Sequence, residues 1–198
     1  MQGHSQLAPE KKITHKKGFL AKLVLMASIG GFLFGYDTGV AAGAMLYLKD
    51  DFPDITDVQK EFVVSLALAG SFIASLAAGP LQDKIGRKRT IIIADILFTT
   101  GAALMASAPS LVILMIGRFV VGLGIGTASL VVPVYLSEVS PTEMRGAVVA
   151  ADVMMITIGQ FISSVLCWVL GSNWRLMLGL AGIPSFLQLV GMFFMPES

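Results

Sequence analysis

Apolar residues along this chain gather into runs of about 20, long enough for each to cross a hydrocarbon core of about 30 Å as a helix. Short clusters of charge, glycine or proline separate the runs. The pattern predicts six spanning helices, at roughly 20–47, 60–81, 90–108, 110–134, 147–170 and 175–195. Pro133 and Pro184 lie inside two of them, which membrane helices tolerate because neighbours satisfy the freed backbone groups. The first 18 residues are polar and lysine-rich, and no cleavable leader precedes the first span, which is expected to act as its own insertion signal. The expected division is a tail over 1–19 and a six-helix bundle over 20–198.

Composition agrees. Of 198 residues, 55% are hydrophobic and only 14% charged, too few charges to cover a soluble domain of this length. The net charge of +1 gives no basic surface for nucleic acid. A single cysteine, Cys167, lies in an apolar run, so no disulfide within the chain, metal cluster or cofactor is expected. The distribution of charge sets the orientation. With the N-terminus in the cytoplasm, Lys11, Lys12, Lys16, Lys17, Lys22, Lys84, Arg87, Lys88, Arg89 and Arg145 fall inside. Lys49, Lys60 and Arg175 fall outside, among Asp50, Asp51, Asp54, Asp57 and Glu61. This is the positive-inside bias of a polytopic membrane protein. Six spans could form two groups of three in inverted arrangement, although no strong sequence repeat connects the groups.

Two charges interrupt the runs at depth. Asp37 stands in GFLFGYDTGVAAGAM, about ten residues or roughly 15 Å from the outer end of span one. Arg118 lies about eight residues, roughly 12 Å, from the outer end of span four, so the two can pair. Ionisable groups at such depth are functional candidates by default. Gly31, Gly35, Gly39 and Gly43 make a small-residue stripe suited to helix packing, which turns Asp37 to the opposite side, toward an expected cavity. In span five Thr157, Gln160 and Ser164 share a stripe, with Ser163 beside it. Gln160 lies roughly 21 Å from the inner end, near the level of the two charges. Three spans thus bring polar groups to one depth, the layout of a polar substrate path. Asp95 and Asp152 lie only about 9–11 Å from the inner ends, where they are expected to reach inner arginines or water as structural or gating groups. No nucleophile–base pair or phosphate loop points to an enzyme. GLGIG at 122–126 resembles part of a dinucleotide fingerprint but lacks the strand–turn–helix context.

Several short motifs then coincide in order. GPLQDKIGRKRT (79–90) resembles the loop signature of the major facilitator superfamily, and GRFVVGLGIG…PVYLSEVSPTEMRG (117–146) resembles the pattern of its sugar porters. FGYDTGV (34–40), ITIGQ (156–160), NWRLMLGLAGIP (173–184) and the final PES (196–198) complete the set. The resemblance covers nearly all the chain past residue 20 and is closest to proton-coupled myo-inositol and hexose cotransporters. It implies an all-α membrane fold, the N-terminal six-helix bundle of a major facilitator. By the resemblance, Asp37 is the proton-carrying carboxylate, Arg118 its partner, and Gln160 a ligand of sugar hydroxyls, with Thr157 and Ser164 beside it. Asp83, Gly86, Arg87, Arg89, Glu138 and Arg145 match the inner network that latches the outward-facing state. Two departures stand out. Asp152 occupies a position commonly neutral in relatives, asparagine for example, so their protonation behaviour at the inner gate does not carry over. Gln82 precedes Asp83 where a small residue is usual.

The expectation is one half of a symporter for a small sugar or polyol, most simply myo-inositol, in the plasma membrane. Its partners would be the solute, a proton, membrane lipid and a second six-helix half, with the chain a piece of a longer product. Two other readings are a facilitative hexose transporter half and a non-transporting sensor or regulatory half-protein.

Overall fold

The computed structural model describes residues 17–195 and Glu197, apart from the side chains of 17–23 and Ala27. The expected tail lies outside the described residues as far as residue 16, with Lys11, Lys12 and Lys16, and so do Pro196 and Ser198. Helix begins at Lys17.

Among the described residues, six helical spans are long and apolar enough to cross a membrane. They are α1 (Lys17–Asp51), α2 (Asp57–Ile85), α3 (Arg87–Ala106), α4 (Leu111–Val139) and α5 (Arg145–Leu170), with the sixth divided into α6 (Trp174–Leu180) and α7 (Gly182–Phe193). Local chemistry sets the ends. Thr56 caps α2 through a reciprocal pair, its hydroxyl accepting from the Gln59 backbone amide and the Gln59 side chain accepting from the Thr56 backbone amide at 2.9 Å. Gly86, at φ 91°, turns α2 into α3, a left-handed conformation that glycine adopts without strain. Proline explains the break in span six. Pro184 has no N–H for the Leu180 carbonyl, and its ring crowds that oxygen, so α6 stops at Leu180. The continuous span expected over 175–195 is therefore two helices.

The packing reveals the internal symmetry. α1 runs along α5 and α2 along α4, α3 touches both α4 and α7, and α1 touches α6 and α7. Exchanging span one with four, two with five and three with six maps α1–α5 onto α2–α4 and α3–α4 onto the contact of α1 with span six, and returns the α3–α7 contact to itself. Odd and even spans run in opposite directions, so this is the inverted 3+3 arrangement. Glycines make both main crossings. A Cβ at Gly35 would overlap the Ile156 carbonyl, and one at Gly122 would overlap the Ala67 carbonyl. In return Gly159 lies on the Phe32 carbonyl and Gly70 on the Phe119 carbonyl. Such close approach is how membrane helices gain dispersion contacts without a hydrophobic drive.

These contacts expose a repeat that the sequence reading passes over. GGFLFGYDTG (30–39) aligns with GRFVVGLGIG (117–126), placing Gly30 on Gly117, Phe32 on Phe119, Gly35 on Gly122 and Gly39 on Gly126. The core follows the same axis. Tyr36, Val40, Phe98, Met105, Val121 and Trp174 fill one end, and Ile91, Val131, Tyr135, Leu136 and Met192 fill the other. Large apolar side chains such as Phe72, Leu76, Phe161 and Trp168 face outward, as a bilayer solvent requires.

Candidate functional site

Asp37 and Arg118 meet. Arg118 Nη1 donates to Asp37 Oδ1 at 2.6 Å, with side-chain exposures of only 2% and 6%. The glycine face of α1 lies against α5 as expected, leaving the carboxylate to α4. Arg118 lies in that direction, and the pair is buried between the two helices. Periodicity gives the direction in which a side chain leaves its helix, but not what fills the volume there. Tyr36, the next residue, donates its hydroxyl to the Met177 carbonyl at 2.7 Å and fixes α1 against α6 at this level. Arg118 Nε is buried without a partner, so the guanidinium keeps unused donor capacity.

Thr157, Gln160 and Ser164 share an exposed face of α5 and do not hydrogen-bond the ion pair. Their depth is as expected: the Gln160 carbonyl lies against Gly39, two residues beyond Asp37. That carbonyl accepts from Ser163 at 2.8 Å and from Ser164 at 2.9 Å, and the Gln160 side chain is exposed. Ser163 turns the other way, into the α1 contact.

At the end of the bundle carrying the α2–α3 and α4–α5 turns, Arg87 is the hub. It lies 3.2 Å from Glu138 and 3.4 Å from Asp83, and reaches the Gln82 carbonyl. Gly86 supplies the turn that brings these groups together. Arg89 and Arg145 are exposed and join no ion pair among the described residues, so the structure assembles only part of the predicted network. Asp95 and Asp152 are 2% and 5% exposed and reach none of the inner arginines. Arg87 is already held by Glu138 and Asp83. Gln82 is buried at the same turn.

Two further groups carry no expectation from sequence. Glu197 lies within the quoted PES motif, and its carboxylate accepts from the Lys88 amide at 2.9 Å, capping α3 where the helix dipole favours an anion. Lys88 Nζ donates to the Phe193 carbonyl at 3.1 Å, tying the same helices together. At the opposite end Asp51 accepts from Trp174 Nε1 at 3.0 Å and pairs with Arg175. Arg175 stacks 4.4 Å from the Trp174 ring and reaches the Ala108 carbonyl. The repeat is the signal that finds this cluster. The alignment that sets Gly35 on Gly122 also sets Asp51 on Glu138, so Arg175–Asp51 mirrors Arg87–Glu138.

Comparison with known proteins agrees with this geometry. The chain is 46% identical over 191 residues to probable inositol transporter 2 of Arabidopsis thaliana, covering 94% of this chain and 33% of that protein. It is 44% identical over 184 residues to the human proton myo-inositol cotransporter, covering 91% of this chain and 28% of the other. Among solved structures, the partially occluded inward-open xylose transporter XylE of E. coli superposes with a TM-score of 0.82 at 26% identity, over 91% of this chain and 50% of that one. The chain therefore spans about a third of these curated relatives and half of the solved structure. It is an integral, multi-pass membrane protein, and the pattern of the "Sugar (and other) transporter" family matches residues 23–198, so the chain belongs to the sugar porters of the major facilitator superfamily.

Proposed function

We propose that this chain is the N-terminal bundle, residues 20–198, of a proton-coupled symporter for a small sugar or polyol, with myo-inositol the first candidate. A second six-helix bundle, in the same gene product or in a partner, completes the transporter. The N-terminus lies in the cytoplasm, a reading supported by the inner cluster of lysine and arginine, and the proposed host is the plasma membrane.

The observation that carries the proposal is the buried Asp37–Arg118 pair, within a family whose relatives include a proton myo-inositol cotransporter. The physics of coupling follows from the pair. The two charges offset one another, and a proton on Asp37 leaves Arg118 without a counter-charge in a low-dielectric bundle. The freed guanidinium then needs other acceptors. Hydroxyl oxygens of a bound polyol, held also by Gln160, Thr157 and Ser164, supply them. Proton and solute thus stabilise each other, and neither alone gives a bundle ready to reorient. Asp83, Gly86, Arg87, Arg89, Glu138 and Arg145 belong to the inner gate.

Uptake of labelled myo-inositol by the complete transporter, measured at several external pH values, tests this. Uptake is expected to rise as the outside is acidified, and Asp37→Asn is expected to remove that dependence. Uptake indifferent to pH in the parent, or unaltered in Asp37→Asn, refutes proton coupling.

A further inference from the structure

Six residues before Asp37, on the inner side, α1 carries Gly31, and the carboxylate of Asp152 on α5 rests on it. A Cβ at Gly31 would stand 2.6 Å from Asp152 Oδ1. That oxygen is buried without a hydrogen-bond partner, in a residue 5% exposed. One helical turn further in, Ser28 is 2% exposed and its hydroxyl is also buried and unpartnered. Ser28 is the polar member of a groove of about 670 Å³ between α1 and α5, lined otherwise by apolar residues that include Val24, Val148, Ala151 and Met155. Met144, in the turn before α5, also lines the groove and places it at the inner end.

Among the described side chains, the ionisable groups on the elements around Asp152 are Tyr36, Asp37, Tyr47, Lys49, Asp50 and Asp51 on α1, Arg118, Tyr135 and Glu138 on α4, Glu143 in the turn, Arg175 on α6, and Arg145 and Cys167 on α5 itself. Asp95, across α1, borders a separate void that Gly30 also lines. Arg118 is held by Asp37, and no ion pair among the described residues reaches Asp152. An ionised carboxylate here has, among the described side chains, no cation to offset its lost hydration, only the Gly31 backbone N–H.

We infer that Asp152, with Ser28, is a second proton-carrying station between Asp37 and the cytoplasm, an inference that rests on the symport reading above. Along α1 the stations descend from Asp37 to the level of Gly31 and then Ser28, steps of roughly 9 Å and 4–5 Å, the first of which needs bridging water. When water enters the groove, Asp152 gives its proton to it past the Ser28 hydroxyl. The carboxylate so formed takes the proton of Asp37. Asp37 returns to its ion pair with Arg118, Asp152 is again the neutral acid, and one proton has left for the cytoplasm. Asparagine at this position accepts and donates hydrogen bonds but cannot carry a proton through such a cycle.

The test uses the complete transporter in proteoliposomes, with myo-inositol as probe and a trapped pH dye. Solute exchange at equal pH is compared with uptake driven by a proton gradient. In Asp152→Asn the ratio of exchange to driven uptake is expected to rise about tenfold, with internal acidification slowed to match, since removing a positioned proton-transfer group slows only steps that move a proton. Asp152→Glu is expected to restore much of the driven rate. Driven uptake and acidification at parental rates in Asp152→Asn overturn the station while leaving symport intact. A parent that takes up inositol without acidifying overturns both. Should Asp152→Asn fail to fold, Ser28→Ala decides: slowed acidification supports the station, and a parental rate overturns it.

Discussion

Removing one member of the Asp37–Arg118 pair should destabilise this bundle more than removing both. The two groups lie 2.6 Å apart and almost fully buried, so either single change strands the other charge in the protein interior. For buried pairs that penalty is about 3–5 kcal/mol. Arg118→Gln strands Asp37. Asp37→Asn strands Arg118, whose Nε already has no partner. The double variant buries no net charge and keeps two amides that can hydrogen-bond, so it should lie within about 1 kcal/mol of the parent, the value of an ordinary neutral hydrogen bond. In a domain of this size each kcal/mol moves Tm by about 2–4 °C, so each single variant should lose roughly 6–20 °C and the double should recover most of it. Cys167, the one thiol in the chain, is half-buried, so maleimide-dye labelling on a thermal ramp in detergent reports unfolding directly. Shifts that simply add across the cycle would refute the pairing, because additivity is what independent sites give.

Other measurements reach other parts of the argument. Gly35→Ala and Gly122→Ala should each lower Tm, by the equivalent of about 1–3 kcal/mol of overpacking, because the new methyl meets a backbone carbonyl. Gly79→Ala, with open space around it, should be neutral or stabilise by up to about 1 kcal/mol; the same dye assay separates the three. Trp174→Phe removes the Nε1 bond to Asp51 and should lose about 1 kcal/mol in that assay, whereas Arg175→Gln should lose less from charge alone, since its pair is part-exposed. Gln160→Ala should raise the KM for inositol about tenfold with Tm unmoved, the loss of roughly one hydrogen bond to solute and none within the bundle.

How much of this was legible before the structure depended on the physics each feature uses. The six spans follow from run length alone, and the level at which Asp37 meets Arg118 follows from helix rise. The angular environment did not follow. Depth placed Asp95 and Asp152 near the inner arginines, yet both carboxyls point into helix contacts while Arg87 is held by Glu138 and Asp83 at the turn. The break at Leu180 was written in Pro184, but a proline inside a membrane helix is compatible with continuity, as Pro80 and Pro133 demonstrate in α2 and α4. The repeat was hidden because its shared positions are glycines and one phenylalanine, common in any membrane helix. It becomes a signal once the glycines are seen to bear on equivalent carbonyls.

That repeat changes the meaning of the charge clusters. Arg87–Glu138 at one end and Arg175–Asp51 at the other are equivalent pairs, and each joins two elements of the same bundle. A pair internal to a rigid unit does not have to break when the unit rotates, so both serve better as braces than as latches. Exposed ion pairs contribute little each, but a brace at each end acts where helix ends would otherwise fray, with Glu197 on the α3 terminus adding to the inner one. The groups left over are those a second bundle can use. Arg89 and Arg145 have no ion pair among the described residues, and Asp83, at 69% side-chain exposure, is bound only by Arg87 four residues along. On this reading the inner gate closes through Asp83, Arg89 and Arg145, while Arg87 and Glu138 hold the surface that presents them. Charge reversal at Arg145 should therefore change transport and leave thermal stability untouched, whereas reversal at Glu138 should change both.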